Sequence, residues 1–357
     1  MPVKTAHPKR GRRVRFLTVA GAAILALAAC TGTRPFTDAA GQVVPGSIAT
    51  METHTIGGVP QSIWFRGLDR GRPAVILLHG GPGASESALF RHYNAGLEED
   101  FLMVYWEQRG TGRSFHSDIP RESMTIEQLV RDLDEVVELV RQRFGKERVM
   151  LLAHSWGTVL GTLYAQQHPE KVAAYVGVAQ IANFAEGERL SYLWTLRQAE
   201  QRGHRGAIEE LQAMSPGPRS VDDELSKGKW VERFGGMFHQ DLSTGKLILA
   251  ALGTEEAGVM DLVKFGQGNR FSLEALRPQY SKVDLTRYRT FKVPVVFILG
   301  RHDWHVPAAL AEDYFNLLSA PEKRLVWFEG SAHNPPFEEP DRFVSVIRDV
   351  LPVVIGR

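Results

Sequence analysis

Val149-Met-Leu-Leu-Ala153-His154-Ser155-Trp156-Gly157 passes from five apolar residues into a turn. The apolar run has the continuous character of a strand buried on both faces. The helical pattern that follows, residues 157–168, is closed by Pro169. A serine between such a strand and such a helix sits on a sharp turn that lifts its hydroxyl clear of the sheet, and the turn needs small neighbours. The usual spelling is G-x-S-x-G; here Ala153 stands at the first position.

Working outward, residues 74–78 and 101–106 read as further buried strands, and 172–179 as another. Between Thr125 and Phe144, apolar residues fall at Ile126, Leu129, Val130, Leu133, Val136, Val137 and Val140, the spacing of one helix face, with Gly145 closing it. Two strand-like runs within 48–67 flank Gly57-Gly58 and predict a hairpin. This alternation predicts an α/β fold, a mostly parallel sheet with helices on both faces. The rhythm stops near residue 181, and only helix-like patterns follow, such as 189–200 and 206–214. It resumes with strands at 293–299 and 324–328, and helices at 308–318 and 340–351. The expected division is a core in two parts, 48–180 and 291–357, interrupted by an inserted helical lid, 181–290.

The 357 residues carry 42 basic and 41 acidic side chains, but the first sixteen hold six of the basic ones. Setting those aside leaves 36 against 41, a mildly acidic body that argues against nucleic acid. Behind the basic stretch, residues 16–29 are apolar or small apart from Thr18, too short to span a bilayer but suited to a signal peptide. The run ends Leu27-Ala28-Ala29-Cys30, which resembles the bacterial lipobox, and Cys30 is the single cysteine. The expectation is a signal peptide (1–29), lipidation at Cys30 and a tether (30–47). The protein would then be an exported lipoprotein on the periplasmic or outer side of a membrane, or a secreted one if unlipidated. With one cysteine, no internal disulfide can form.

The chemistry gathers around Ser155. His79-Gly80-Gly81-Pro82-Gly83 follows the strand 74–78, and its glycines let backbone N–H groups approach a ligand closely. Asp303 ends one downstream strand and His333 follows another. A serine is a poor nucleophile until a hydrogen-bonded base takes its proton, and those two residues supply base and orienting acid. Asp118 and Asp261 follow no strand at the corresponding place. His302 and His305 are three apart with no third ligand nearby, so no metal is expected. Organic cofactors are not expected either, since no Gly-rich phosphate loop follows the first strand.

Three segments together carry a family resemblance: His79–Gly83 (HGGPG), residues 106–114 (WEQRGTGRS) and residues 154–157 (HSWG). From about residue 50 to 353 the chain resembles the proline iminopeptidase branch of the α/β-hydrolase family. The resemblance implies Ser155 as nucleophile, His333 as general base then acid, Asp303 orienting the imidazole, and the N–H groups of Gly81 and Trp156 as oxyanion hole. Glu107, Arg109 and Arg113 are expected to organise a loop beneath the site. Epoxide hydrolases and haloalkane dehalogenases share the fold but carry aspartate at the turn, where this chain has Ser155.

Proline iminopeptidases hold the substrate's cationic amine with acidic lid residues, and the candidates here are Glu186, Glu188, Glu255 and Glu256. The chain lacks the W-x-x-W-E lid segment of well-known members; Trp230-Val231-Glu232 is a loose echo, and Glu107 replaces the usual aspartate of WDQRG. An aminopeptidase on short peptides and a carboxylesterase or amidase on small acyl substrates therefore both stand. A lipid-anchored binding protein on the same fold is the reading from another class.

Overall fold

The computed structural model describes residues 32–354; the expected signal peptide and Cys30 lie outside them. Eight strands form one sheet: β1 (Ile48–Ile56), β2 (Val59–Gly67), β3 (Ala74–Leu78), β4 (Leu102–Trp106), β5 (Val149–His154), β6 (Val172–Val178), β7 (Val295–Gly300) and β8 (Lys323–Phe328). Their spatial order is β1-β2-β4-β3-β5-β6-β7-β8. The expected hairpin β1–β2 is antiparallel, β2 is antiparallel to β4, and every later pairing is parallel.

Helices cover both faces: α1 (Ser87–Asn94), α2 (Ile126–Phe144), α3 (Gly157–Gln167), and, beyond β7, α9 (Ala308–Leu317), α10 (Pro335–Glu338) and α11 (Pro340–Val354). Strand alternation distributes the core between them. Ala74, Ile76 and Leu78 of β3 pack with Leu133, Val136 and Val140 of α2. Val75 and Leu77 pack on the other side with Phe90 of α1 and Phe343 of α11. Thr125 starts α2 by accepting the Gln128 N–H at 3.0 Å. At about 1.5–3 kcal/mol for each fully buried Leu or Val side chain, the apolar face holds α2 more than propensity does.

Between β6 and β7 five helices are inserted: α4 (Phe184–Gln201), α5 (Arg205–Ala213), α6 (Val221–Arg233), α7 (Thr244–Leu252) and α8 (Val259–Tyr280). Entry and exit of this block are zipped together, Leu285 N–H donating to Ala182 O at 2.7 Å and Phe184 N–H to Val283 O at 2.9 Å. The block has a small core of its own around Tyr192, Leu211 and Phe234.

The segment expected as a tether behaves differently over its described part, 32–47. Thr33 Oγ1 donates to Glu256 Oε1 at 2.9 Å, and Arg34 N–H to Glu255 Oε1 at 3.0 Å. The Arg66 guanidinium lies 4.8 Å from the Phe36 ring and donates to Arg34 O at 3.0 Å. Polar partners more than 200 positions away hold the segment against the body, and its own Gly- and Pro-containing composition gave no sign of them.

Candidate active site

Ser155 is one of two described non-glycine residues with positive φ, at 51°. The strain is the cost of the turn from β5 into α3, which points Oγ off the end of the sheet. A side chain at Gly157 would run into the Leu78 carbonyl, so only glycine fits there. The departure at Ala153 is absorbed by the facing helix: a Cβ at Gly161 would lie 3.2 Å from the Ala153 methyl and 2.6 Å from the Tyr175 ring. Glycine on α3 makes room for alanine on β5.

His333, in the loop after β8, sets Nε2 3.0 Å from Ser155 Oγ and Nδ1 2.8 Å from Asp303 Oδ2. The other Asp303 oxygen accepts the N–H groups of His305 and Val306, both at 2.9 Å. With Nδ1–H donated to the carboxylate, Nε2 is left to accept the serine proton. All three residues are buried, none more than 6 % exposed. The alternatives lie elsewhere: Asp118 is exposed, and Asp261 is 2.8 Å from the Arg113 guanidinium.

The three segments behind the resemblance meet here. Gln108 Oε1 accepts the Trp156 indole N–H at 3.0 Å, Gln108 Nε2 donates to His79 O at 3.1 Å, and Gln108 N–H is 3.1 Å from His79 Nε2. Burial pushes the His79 imidazole below its usual range, in keeping with an Nε2 that accepts. Gly81 holds φ +123°, a conformation side chains oppose, and lines the same cavity as Ser155. Trp156, buried at the start of α3, directly follows the serine. Of the loop residues, Arg109 grips Asp132 of α2 at 2.8 and 2.9 Å, and Glu107 accepts from Ser85 Oγ and Arg113 N–H at 2.8 and 2.6 Å. Burial raises the Glu107 carboxyl.

Ser155 and His333 open into a cavity of about 400 Å³ between the sheet end and the inserted helices. Its wall is apolar at Phe184, Leu225, Leu247, Ile248 and Leu252, with carboxylates at Glu86, Glu107, Glu188, Glu224, Glu256 and Asp261 and cations at Arg113 and Lys227. Of the four acids expected to meet a substrate amine, Glu188 and Glu256 line the cavity and Glu186 and Glu255 do not. Residues two apart on a helix face apart, so Glu188 turns inward while Glu186 pairs with Arg189 on the surface at 2.6 Å. Glu255 turns outward to Arg34 at 2.5 Å.

Sequence reasoning missed Glu86, which lies 2.8 Å from His154 Nδ1; His154 Nε2 in turn donates to the His333 carbonyl at 3.0 Å. Burial opposes charge on both, but their contact overrides it, raising the His154 imidazole and lowering the Glu86 carboxyl. No local pattern around Glu86 announces this pairing across 68 positions. Lys227 was missed as well; it is 1 % exposed and donates to Glu188 Oε1 at 2.6 Å. One oxygen each of Glu86, Glu188 and Glu256 is buried without a hydrogen-bond partner. His302 stacks on His239 at 3.4 Å while His305 packs edge-on to His333, so those two imidazoles face different neighbours.

A sequence profile described as the alpha/beta hydrolase fold matches residues 73–203. YbaC of Bacillus subtilis (strain 168), a probable aminopeptidase, is 32 % identical over 304 residues, covering 84 % of this chain and 96 % of that one. A proline iminopeptidase of Neisseria gonorrhoeae is 28 % identical over 298 residues, 78 % of this chain and 88 % of the other. Among solved structures, a proline iminopeptidase-related protein from Thermus thermophilus superposes with a TM-score of 0.63 at 21 % identity, over 87 % of this chain and 99 % of that one. At that identity the superposition speaks for the fold alone.

Proposed function

The chain belongs to the proline iminopeptidase-like branch of the α/β-hydrolase superfamily and is a hydrolase, and from that premise we propose a serine aminopeptidase that removes an N-terminal residue, proline above all, from short peptides. The observation that carries this reading is the chain of contacts from Ser155 Oγ to His333 Nε2 at 3.0 Å and from His333 Nδ1 to Asp303 at 2.8 Å.

In the proposed reaction Ser155 Oγ attacks the carbonyl carbon of the first residue as its proton passes to His333 Nε2. The N–H groups of Gly81 and Trp156 receive the negative oxygen. The imidazolium returns its proton to the departing amine, leaving an acyl-enzyme that water hydrolyses by the same route. Asp303 holds the tautomer and stabilises the transient imidazolium. Support for a cationic amine comes from the cavity's excess of acids over cations, and from the carboxylate oxygens of Glu86, Glu188 and Glu256 that no protein group occupies. A charge-assisted hydrogen bond to such an oxygen is worth about 1.5–3 kcal/mol, and we assign Glu188 the largest part.

The apolar wall of α7 supports a second reading, a carboxylesterase or amidase whose cavity selects an apolar acyl group. Membrane anchoring through Cys30 remains part of the proposal on the strength of the Leu27–Cys30 sequence.

Full-length protein and its Ser155→Ala variant separate these readings when offered three substrates: a chromogenic prolyl amide with a free amine, its N-acetylated form, and a short-chain ester. The proposal expects cleavage of the free-amine amide only, falling at least about 10⁴-fold in the variant. Glu188→Gln is expected to raise KM for that amide about tenfold with kcat little changed. Turnover of the ester alone sinks the peptidase reading, and turnover of nothing leaves another substrate class or the binding protein.

A further inference from the structure

We propose that the outer face of the turn joining α7 and α8 is a lipid-contacting surface that seats the mouth of the cavity on a membrane. Ten large apolar side chains are exposed among the described residues, and five of them fall within residues 249–263. Leu249 is 71 % exposed, Val259 64 % and Met260 61 %, with Val263 and Leu252 beside them. Single exposed apolar residues are ordinary; a cluster on one turn is the mark of a surface that meets something apolar.

The composition of α7 points the same way. Leu247, Ile248, Ala251 and Leu252 line the cavity, while Leu249 looks outward, so the helix is apolar on both sides. The one charged residue of α7, Lys246, stands in its first turn and pairs with Asp241; the six residues after it are apolar on every side, and such a stretch calls for apolar surroundings on every side. The cavity supplies one side, and nothing among the described residues covers the other.

The chain itself says what does. Its first described residues are bound to this turn: Thr33 to Glu256, and Arg34 to Glu255 through both backbone and guanidinium. Two residues, Thr31 and Gly32, separate Thr33 from Cys30, so the three steps reach at most about 11 Å. Immediately before Cys30 lies the apolar run 16–29 behind six basic side chains. An anchor there, whether acyl chains on Cys30 or that run itself, would join the body at the turn between the helices that carry Leu249, Val259 and Met260. The two acids of the turn are already neutralised, Glu255 by Arg34 and Glu256 by Arg91, both at 2.5 Å, so approach to lipid leaves neither carboxylate without a counter-charge. A second copy of the chain would cover the patch equally well but would have no reason to meet it where the leader enters. Leu225 and Leu252, which line the cavity and are 47 % and 37 % exposed, form the rim that then opens at the bilayer surface.

This inference is independent of the reaction and is tested without it. Full-length Met260→Cys protein, labelled with an environment-sensitive fluorophore, is reconstituted into phosphatidylethanolamine–phosphatidylglycerol vesicles containing acyl-chain nitroxide lipid. Leu317→Cys is the control, an equally ordinary exposed apolar site on α9 (53 % exposed), and the parent chain reports any labelling at Cys30. The proposal expects several-fold stronger nitroxide quenching at 260 than at 317, a blue-shifted emission at 260, and loss of quenching there by aqueous iodide. Equal iodide quenching at both sites overturns it. Shielding from iodide without nitroxide quenching, together with oxidative crosslinking of Met260→Cys chains to each other, also overturns it, in favour of a second copy.

Discussion

The sheet and the inserted helices treat their buried charges in opposite ways. In the sheet half, Arg66 clasps Glu98 with both carboxylate oxygens about Nε at 3.0 and 2.9 Å, and the Asp303 carboxylate meets His333 and two backbone N–H groups. Asp132 takes four donors, from Arg109, Gln61 and Gln128. On the cavity wall formed by the inserted block, Glu188 and Glu256 each keep a buried oxygen with no partner, and so does Glu86 at the seam. An unpartnered buried carboxylate oxygen costs stability, so where several share one cavity they are best understood as waiting for a ligand. Those three sheet-half carboxylates are matched without substrate; in the proposed amine site, the carboxylates of the cavity wall are not.

The largest effect that can break this contrast is at Asp303. Asp303→Asn keeps the shape but favours the wrong imidazole tautomer, and kcat is expected to fall about 10⁴-fold with KM unchanged. A drop of less than tenfold would mean that the sheet end is not the finished machine described here, and would send the search for an acid to Asp261. The second effect is on stability alone. Asp132→Asn leaves Arg109 buried without its counter-charge, and urea unfolding should register a loss of about 3–5 kcal/mol. KM for the free-amine amide should not move, because Asp132 lies away from the cavity wall.

At the seam between the halves, Glu86→Gln gives a smaller loss with a distinctive pH dependence, about 2 kcal/mol at its maximum. The folded protein holds His154 above its ordinary 6.5 and Glu86 below its ordinary 4.5. A raised histidine stabilises fully below 6.5 and loses its contribution as pH rises through the folded value. A depressed carboxylate stabilises fully above 4.5 and loses its contribution as pH falls through the folded value. The stability difference between wild type and variant should therefore peak between pH 4.5 and 6.5 and shrink on both sides. A difference that is flat with pH would mean that Glu86 and His154 are not an ion pair, and would move Glu86 fully to the open side of the contrast.

The same division explains what could be read in the sequence. Strands such as Ala74–Leu78 and the face of α2 are written in local periodicity, and the serine turn, HGGPG and the downstream Asp303 and His333 follow from strand ends. Those signals are short-range, and the sheet half is built from them. Glu188 could be named as a candidate but not told from Glu186, because that choice depends on how α4 is rotated against the cavity. Glu86 and Lys227 carried no signal at all, since each acquires its role from a partner brought close only by folding. Residues 32–47 misled for the same reason: Thr33 and Arg34 look ordinary until Glu255 and Glu256, more than 200 positions on, come alongside.

The smallest effect separates closure from stabilisation. Glu52 of β1 is forked by Arg143 of α2 at 2.6 and 2.8 Å, as well partnered as any carboxylate in the sheet half, yet both side chains remain about a quarter to a third exposed. The guanidinium hydrogen bonds, with Thr50 and His54 adding to them against a modest burial penalty, hold its carboxyl down at about 2. Water screens such a pair, so Glu52→Gln should cost less than about 1 kcal/mol near neutral pH. Because the folded value is depressed, the cost should be constant above pH 4.5 and fade as pH falls from there toward 2. A loss near 3 kcal/mol would mean that closure alone stabilises, and the unpartnered oxygens of Glu188 and Glu256 would then be an expense too large to leave standing for a ligand. A small loss keeps the distinction where the burial puts it: the sheet half is stable because its charges are both buried and matched, and the cavity can leave carboxylate oxygens open because the apolar core beneath the sheet carries the fold.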